Sequence, residues 1–394
     1  MDFQEATRNE QMKKEVLSKA DLIRELLPKY DEQARQLLDH EFCLDLGRML
    51  VGGSGDSHDA SLATELMFEA VAGVPTEALA SMHLGRYTAP WVQGDTRNLL
   101  FTGISASGRS SRVIEALRLA DDKGIRTLAV TGNDTSPIVQ GSDLLFHAAI
   151  DEPANPPHVR SYLASLMALY AIALRLAEVR EVVTSQEARA WYETILHSAD
   201  VVEATINENE EKTKELAEIL RDREFFIFCG SGPNYGTALF GAAKIVEATG
   251  LNAMGQETEE WAHLQRFARM EGTPTFVIAP PGLGYQRASI LAQTIKKTGK
   301  YLIAVVDQHE KAISEHADFR LPVMGKLPEP LTPLIYSTAL SLFASDLAYL
   351  LDEPYMRNLA GRWATSPETD AIVRGDETVG EIDDLGLSQV TSVG

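Results

Sequence analysis

Two stretches of the chain, "GSGDSHDASLATELMFEAVAGVP" and "GSGPNYGTALFGAAKIVEATGLN", can be laid over one another without a gap. Setting Gly55 on Gly232 carries Gly73 onto Gly250. Each stretch follows an apolar run, "GRMLV" in the first case and "EFFIFC" in the second. Apolar run, glycine turn and helix-like segment make one strand–turn–helix unit, and the chain contains it twice. A duplicated unit of this kind constrains the fold more than any single motif, because both halves must build the same layers.

The text around each copy alternates in the same way. In the first half, "RNLLFTGISAS", "RTLAVTG" and "DLLFHAAI" read as strands, and "RSSRVIEALRLADDKG" reads as a helix that starts near Arg109 and stops at Gly124. A long apolar helix over 158–180 closes the half. In the second half, "TPTFVIAPPGLG", "KYLIAVVD" and "DFRLPVMG" read as strands, and "LTPLIYSTALSLFASDLAYLL" is the matching closing helix. Strand–helix alternation predicts parallel sheets covered by helices. The expected fold is α/β, two tandem doubly wound, flavodoxin-like parallel-sheet domains. Their expected limits are 41–180 and 223–364, with a helical segment over 1–40, a helical linker over 181–222 and an acidic tail over 365–394.

Bulk properties narrow the function. The 394 residues carry a net charge of −21, which argues against nucleic acid and against an anionic membrane surface as partners. No apolar run reads as a membrane span, and the N-terminus "MDFQEATRNEQMKKEV" is too polar for a signal peptide. The two cysteines, Cys43 and Cys229, suggest no disulfide framework, so a cytoplasmic location is expected. No Cys/His cluster has metal-ligand spacing, and neither a metal nor another cofactor is expected.

The chemistry-bearing segment of the first half is "LLFTGISASGRSS". Ligands of a parallel sheet sit beyond the carboxyl ends of its strands. Ser105, Ser107 and Ser110 occupy that place, and the following helix aims its free N–H groups at it. Gly108 lets the backbone come close to a ligand. Ser57, in the previous strand–helix turn, adds a donor, and Arg109 is a candidate clamp. The reading is an anion cradle. A plain N-capped turn is the alternative. The repeat separates the two: the second copy has Ala279, Pro280 and Pro281 in place of Ser105, Ala106 and Ser107, so the fold itself does not need the hydroxyls. Conversely, Lys244 and Glu247 of the second copy stand against Met67 and Ala70 of the first. Three residues apart on a helix, they share one side. They lie in a small, apolar run where full exposure would be unnatural.

With the "GSGDS" and "SASGRS" segments, the alternation and the duplication on the page, residues 40–362 resemble the SIS (sugar isomerase) domain family, and most closely the isomerase half of glucosamine-6-phosphate synthase. The family's Ser-x-Ser-Gly-x-Thr phosphate loop falls on Ser105, Ser107 and Ser110, and its Gly-Thr-Ser turn on Ser57, with Asp56 in place of the threonine. The resemblance implies that Glu247 is the catalytic glutamate and that Lys244, the family's helix lysine, is catalytic beside it. It implies that His263 opens the sugar ring, from a neighbouring subunit, with Glu260 in the matched "EEWAHL" segment. His158 begins the closing helix where the family contacts sugar. The family's terminal lysine has no counterpart: "RNLAGRW" offers Gly361 or Arg362, and an arginine stays protonated.

The resulting expectation is an aldose–ketose isomerase for an anionic sugar, a 6-phosphate or a 6-sulfonate such as sulfoquinovose, acting through an enediol. A deaminase or deglycase using the same enediol chemistry is the enzymatic alternative, and a sugar-binding module the non-catalytic one. A homodimer with shared sites is expected, with Trp261, Leu264 and Phe267 forming one apolar face.

Overall fold

The computed structural model describes residues 8–151, 157–269 and 271–361. Three helices lead in: α1 (Arg8–Leu17), α2 (Lys19–Leu37) and α3 (His40–Asp45). The first copy then runs β1 (Arg48–Gly53), α4 (Asp56–Ala70), β2 (Thr76–Ala80), β3 (Leu99–Ile104), α5 (Ser111–Asp121), β4 (Arg126–Thr131), α6 (Pro137–Gln140), β5 (Leu144–His147) and α7 (Val159–Val179). The linker is one helix, α8 (Ser185–Leu220), of 36 residues. The second copy runs β6 (Phe225–Gly230), α9 (Pro233–Thr249), β7 (Asn252–Glu257), α10 (Thr258–His263), β8 (Pro274–Ala279), α11 (Tyr285–Lys297), β9 (Tyr301–Asp307), β10 (Phe319–Val323) and α12 (Thr332–Leu350).

Each copy is a 5-stranded sheet, β2-β1-β3-β4-β5 and β7-β6-β8-β9-β10, and every neighbouring pair is parallel. The strand order reverses next to β1 and next to β6, as in a doubly wound sheet. The duplication extends to backbone detail. Gly55 has φ 56°, ψ −131° and Gly232 has φ 54°, ψ −131°, a region closed to side-chain-bearing residues. Sheet register also aligns the loops: Gly103 lies opposite Gly52, and Val277 opposite Cys229, the repeat equivalent of Gly52. Followed onward from there, Ser105 falls on Ala279 and Gly108 on Gly282, as the sequence comparison set them.

Two strands are absent from the sequence reading, β2 ("TEALA") and β7 ("NAMGQE"). Both are edge strands with intermediate burial and without a β-branched run, so neither carries a strand pattern. The helix of the first loop begins at Ser111, two residues past Arg109, with Ser110 as N-cap. A further correction concerns α7. By length and composition it could cross a membrane, contrary to the reading that no run could, yet 89% of its apolar window is buried inside the protein. It is a core helix, wrapped by α2, α4 and α8.

The two copies meet through α4 and α9, which run antiparallel. A Cβ on Gly236 would lie 2.4 Å from the Asp59 carbonyl oxygen, so glycine is what permits the close crossing. Beside it, Tyr162 of α7 stacks on Phe240 with ring centroids 3.8 Å apart. This interface carries the first turn of α4 to the last turns of α9.

Candidate active site

The antiparallel crossing sets Asp56, in the first turn of α4, against Lys244 of α9. Lys244 is fully buried. Its Nζ donates to Asp56 Oδ2 at 2.7 Å, to the Pro157 carbonyl at 3.3 Å, and to Glu247 Oε2. Three acceptors therefore meet the three N–H bonds of the ammonium. Tyr355 donates its phenol to the same Glu247 oxygen at 2.5 Å. The Arg357 guanidinium donates to the Val246 carbonyl at 3.1 Å and to the Glu247 carbonyl, tying down the end of α9. Among the described residues no donor reaches Glu247 Oε1, and the side chain keeps 24% of its surface exposed.

The charges set one another. Burial alone would lower the lysine's pKa, but the Asp56 and Glu247 carboxylates outweigh it and hold Lys244 well above the usual lysine range. Burial pushes Asp59, one turn further along α4, up to about 8, with the Asp56 charge adding to the shift. Tyr355 is likewise raised, first by burial.

The serine loop lies at the carboxyl edge of the first sheet, the same edge as Asp56. Ser105 is buried and its hydroxyl donates to Ser110 Oγ at 3.1 Å. Ser107 and Arg109 are exposed, and the Arg109 N–H reaches Ser107 Oγ at 3.4 Å. Gly108 has φ 68°, and a Cβ there would lie 1.8 Å from Ser136 Oγ. Ser57 packs so tightly under the loop that a Cβ on Gly53 would meet its own Cβ at 2.5 Å and the Ile104 carbonyl at 2.9 Å. Ser57 and Ser105 thus flank one point. A cavity of about 110 Å³ opens beside it, lined by Ala106, Thr131, Gly132, Asn133, Ser161 and Ser165 among others.

His158 is the left-handed N-cap of α7, with φ 62°, and its Nδ1 pairs with Ser161 Oγ at 3.2 Å. The peptide before it supplies the Pro157 carbonyl to Lys244. The start of α7 is fastened by Glu15 of α1, whose Oε2 accepts from the Val159 N–H at 3.0 Å. Asp56, Lys244, Glu247, Ser57 and His158 are in this way drawn to one region.

Other expected site residues lie elsewhere. His263 ends α10, is 70% exposed, and pairs with Glu259 Oε1 at 3.2 Å. Glu260, in the same helix, is exposed. Both follow β7 at the carboxyl edge of the second sheet. Glu247 sits near the far end of α9, roughly 20 Å of helix from that edge. His263 and Glu247 of one chain therefore belong to opposite edges of the sheet. The expected apolar face also divides: Trp261 is buried in the core of its own domain, while Leu264 (57%) and Phe267 (69%) are exposed. Arg362 and the acidic tail lie outside the described residues.

Sequence reading missed three contributors: Asp56 as the partner of Lys244, Tyr355, and Glu15. Asp56 showed only as a departure from a threonine. Its role depends on a helix crossing between residues 188 apart, for which no local signal exists.

Comparison with known proteins bears on the family and the fold. Residues 45–175 match the SIS domain family. The glutamine–fructose-6-phosphate aminotransferase (isomerizing) of Gloeobacter violaceus is 30% identical over 325 residues, covering 82% of this chain and 52% of that protein. The chain thus spans about half the length of the curated relatives it matches. Among solved structures, the C-terminal domain of glucosamine-fructose-6-phosphate aminotransferase from Francisella tularensis superposes with TM-score 0.75 at 20% identity, covering 87% of this chain and 96% of that one. Tagatose-6-phosphate ketose/aldose isomerase from Escherichia coli superposes with TM-score 0.71 at 16% identity, covering 90% and 96%. The chain has the fold of two tandem SIS domains, carries the SIS signature in its first copy, and is homologous to the isomerase half of the glutamine–fructose-6-phosphate aminotransferases.

Proposed function

We propose that this chain is an aldose–ketose isomerase acting on an anionic sugar, a 6-phosphate or a 6-sulfonate, in the cytoplasm. The observation that carries the reading is the Glu247 carboxylate. Lys244 and Tyr355 hold its Oε2, and its Oε1 is left to act on a substrate. A carboxylate fixed in this way suits a proton transfer between adjacent carbons. Both cysteines are buried thiols, in keeping with a reducing compartment.

Ser57, Ser105, Ser107 and Ser110 hold the anionic tail, together with the N-terminal amides of α5, and fix the register of the sugar. Glu247 takes the proton from C2 of the open-chain aldose. The electron pair passes into a C1–C2 double bond, and the carbonyl oxygen at C1 takes up a proton to give the enediol. Return of the proton to C1, with loss of the proton from the oxygen at C2, gives the ketose. Lys244 is a positioning residue in this scheme, since all three of its N–H bonds are engaged with protein. His263 of a second subunit assists ring opening.

The test is a panel of sugar 6-phosphates, amino-sugar 6-phosphates and 6-sulfonates followed by proton NMR in deuterated water. Ketose formed without ammonia, with deuterium entering C1 or C2, is the expected outcome. Release of ammonia or of an amino acid would assign a deaminase or deglycase instead. Glu247→Gln keeps the shape and removes the base, so kcat should fall at least 100-fold with substrate affinity within a few-fold. A near-normal kcat in that variant would move the proton transfer to another residue.

A further inference from the structure

We infer that Tyr355 is a positioning residue of the proton transfer: a left-handed turn that the first copy lacks holds its phenol on Glu247 and confines the transfer to one carboxylate oxygen. The inference rests on reading Glu247 as the base.

The two closing helices end alike. Glu181 follows α7 with φ 56°, and Asp352 follows α12 with φ 52°. There the copies part. The first passes into α8, and Val182 covers the end of α4: its Cγ2 would lie 3.0 Å from a Cβ on Gly73. The second turns back over the end of α9. Pro354 is followed by Tyr355 and then by three successive residues of positive φ, Met356 (48°), Arg357 (52°) and Asn358 (57°). All three carry side chains, and a left-handed run of such residues is disfavoured at every step. Backbone of this kind persists where its surroundings hold it, and it clusters at functional sites.

The contacts of Tyr355 and Arg357 fall on the last turns of α9. Arg357 takes the place of Val182 over the helix end: a Cβ on Gly250, the repeat equivalent of Gly73, would lie 2.2 Å from Arg357 Nη1. The same guanidinium holds the Val246 and Glu247 carbonyls, and so fixes the backbone of the base. Tyr355 fixes its side chain. The ring is buried, with its centroid 6.0 Å from Lys244 Nζ, and the phenol donates to Glu247 Oε2 at 2.5 Å. The first copy has Ala70 in place of the glutamate, and no such turn. The turn therefore accompanies the base and not the fold.

Oε2 receives both Tyr355 and Lys244, and turning the carboxylate over would break both hydrogen bonds at once. The proton that Oε1 takes from C2 thus stays on the face of the sugar it left, and goes back at C1 on that face. The C2–H bond breaks and its electron pair forms the C1–C2 double bond. That pair then takes the proton at C1, and Glu247 ends as the carboxylate. One proton gained by the oxygen at C1 balances one lost from the oxygen at C2.

The experiment gives the full chain the 2-deuterated forms of the panel's aldose 6-phosphates and 6-sulfonates in ordinary water. NMR reads the share of label carried from C2 to C1 of the ketose. Wild type is expected to carry part of the label. Tyr355→Phe keeps the ring and removes the donor. It should lower kcat by about 10- to 100-fold with KM within about 3-fold, and cut the share carried by about half or more. Tyr355→Leu should lose label transfer to the same extent, whereas a role in packing alone would spare the phenylalanine variant. Without substrate, Tyr355→Phe and Glu247→Gln should together shift the urea midpoint by less than the sum of their single shifts. Wild-type kcat and label transfer in Tyr355→Phe, beside an inactive Glu247→Gln, overturns the inference, as does a wild type that carries no label or a pair of additive midpoint shifts. An active Glu247→Gln, or a wild type that converts no sugar of the panel, would instead overturn the reading on which the inference rests.

Discussion

Lys244 of the second copy and Asp56 of the first are joined by a 2.7 Å ion pair. The pair crosses the interface between the two sheets and connects the anion turn, through Ser57, to the base, through Glu247. Neither copy holds the whole site. Removing Asp56 leaves a buried ammonium with one carboxylate fewer. Asp56→Ala should therefore destabilise the fold by about 2–4 kcal/mol, read from the denaturant midpoint. Asp56→Ala/Lys244→Met should recover part of that loss, because the buried ammonium is gone, while Glu247 keeps the Tyr355 phenol but loses its cation. An additive double variant would show that the two side chains do not act as a pair.

Asp59 gives a pH dependence whose sign can be worked out. Its folded pKa of about 8 lies above the ordinary carboxyl value of 3.8, so between those limits the native state holds a proton that the unfolded chain has released. The native state is then penalised progressively as pH rises, by up to about 1.4 kcal/mol per unit, until both states are ionised. Asp59→Asn removes the penalty. The variant should match wild type near pH 4 and become more stable than it toward pH 8. Parallel stability curves across that range would refute the assignment.

What the sequence reveals here follows from the range over which each signal acts. Periodic apolar runs and glycine turns are local, so the central strands and the duplication were legible. The Lys244–Glu247 pair was legible because one copy serves as a control for the other. Strands β2 and β7 were not, because an edge strand with one half-exposed face needs no apolar run. The Trp261 segment misled for a related reason. Helical spacing groups Trp261 with Leu264 and Phe267, but α10 ends at His263, and the turn that follows carries Leu264 and Phe267 outward. Tyr355 and Asp56 reach Glu247 and Lys244 only through tertiary packing.

Lys19 is a buried amine that meets no carboxylate among the described residues: its Nζ donates to Ser337 Oγ at 3.0 Å and Thr338 Oγ1 at 2.9 Å. Burial lowers its pKa to about 7. Between pH 7 and the ordinary lysine value of 10.5, the unfolded chain holds a proton that the native state has released. Stability from this group therefore rises with pH across that window and is lowest at and below pH 7. Lys19→Met should raise stability by about 1–3 kcal/mol at pH 7, with the gain fading toward pH 10. A loss of stability at pH 7 would mean that the two hydroxyl contacts outweigh the cost of burial.

Gly108 is the residue on which the loop depends. Its φ of 68° disfavours any side chain, and the nearest atom to an added Cβ is Ser136 Oγ. Gly108→Ala should cost more than about 1 kcal/mol in stability and weaken phosphate binding at least 10-fold, as the loop shifts to make room. Gly124→Ala is the comparison: it has the same positive φ, 68°, but an added Cβ would meet nothing within 4 Å. If both variants bind phosphate equally well, steric fit against Ser136 is not what shapes the cradle.

His263 tests the assembly. It lies at the carboxyl edge of the second sheet, whereas Glu247 lies toward the opposite edge, so a site that needs both must draw them from two chains. Leu264 and Phe267, exposed beside His263, would be covered in such an assembly. In a two-fold dimer each site would combine Glu247 of one subunit with His263 of the other. Glu247→Gln and His263→Ala chains, each inactive alone, are mixed under conditions that exchange subunits. A mixed dimer then contains one site with both changes and one with neither. Activity should return to about half the wild-type value per mixed dimer, and the recovered rate should track the heterodimer fraction measured by native mass spectrometry. Heterodimers that form and stay inactive would show that each chain completes its own site, and a histidine other than His263 would have to serve it.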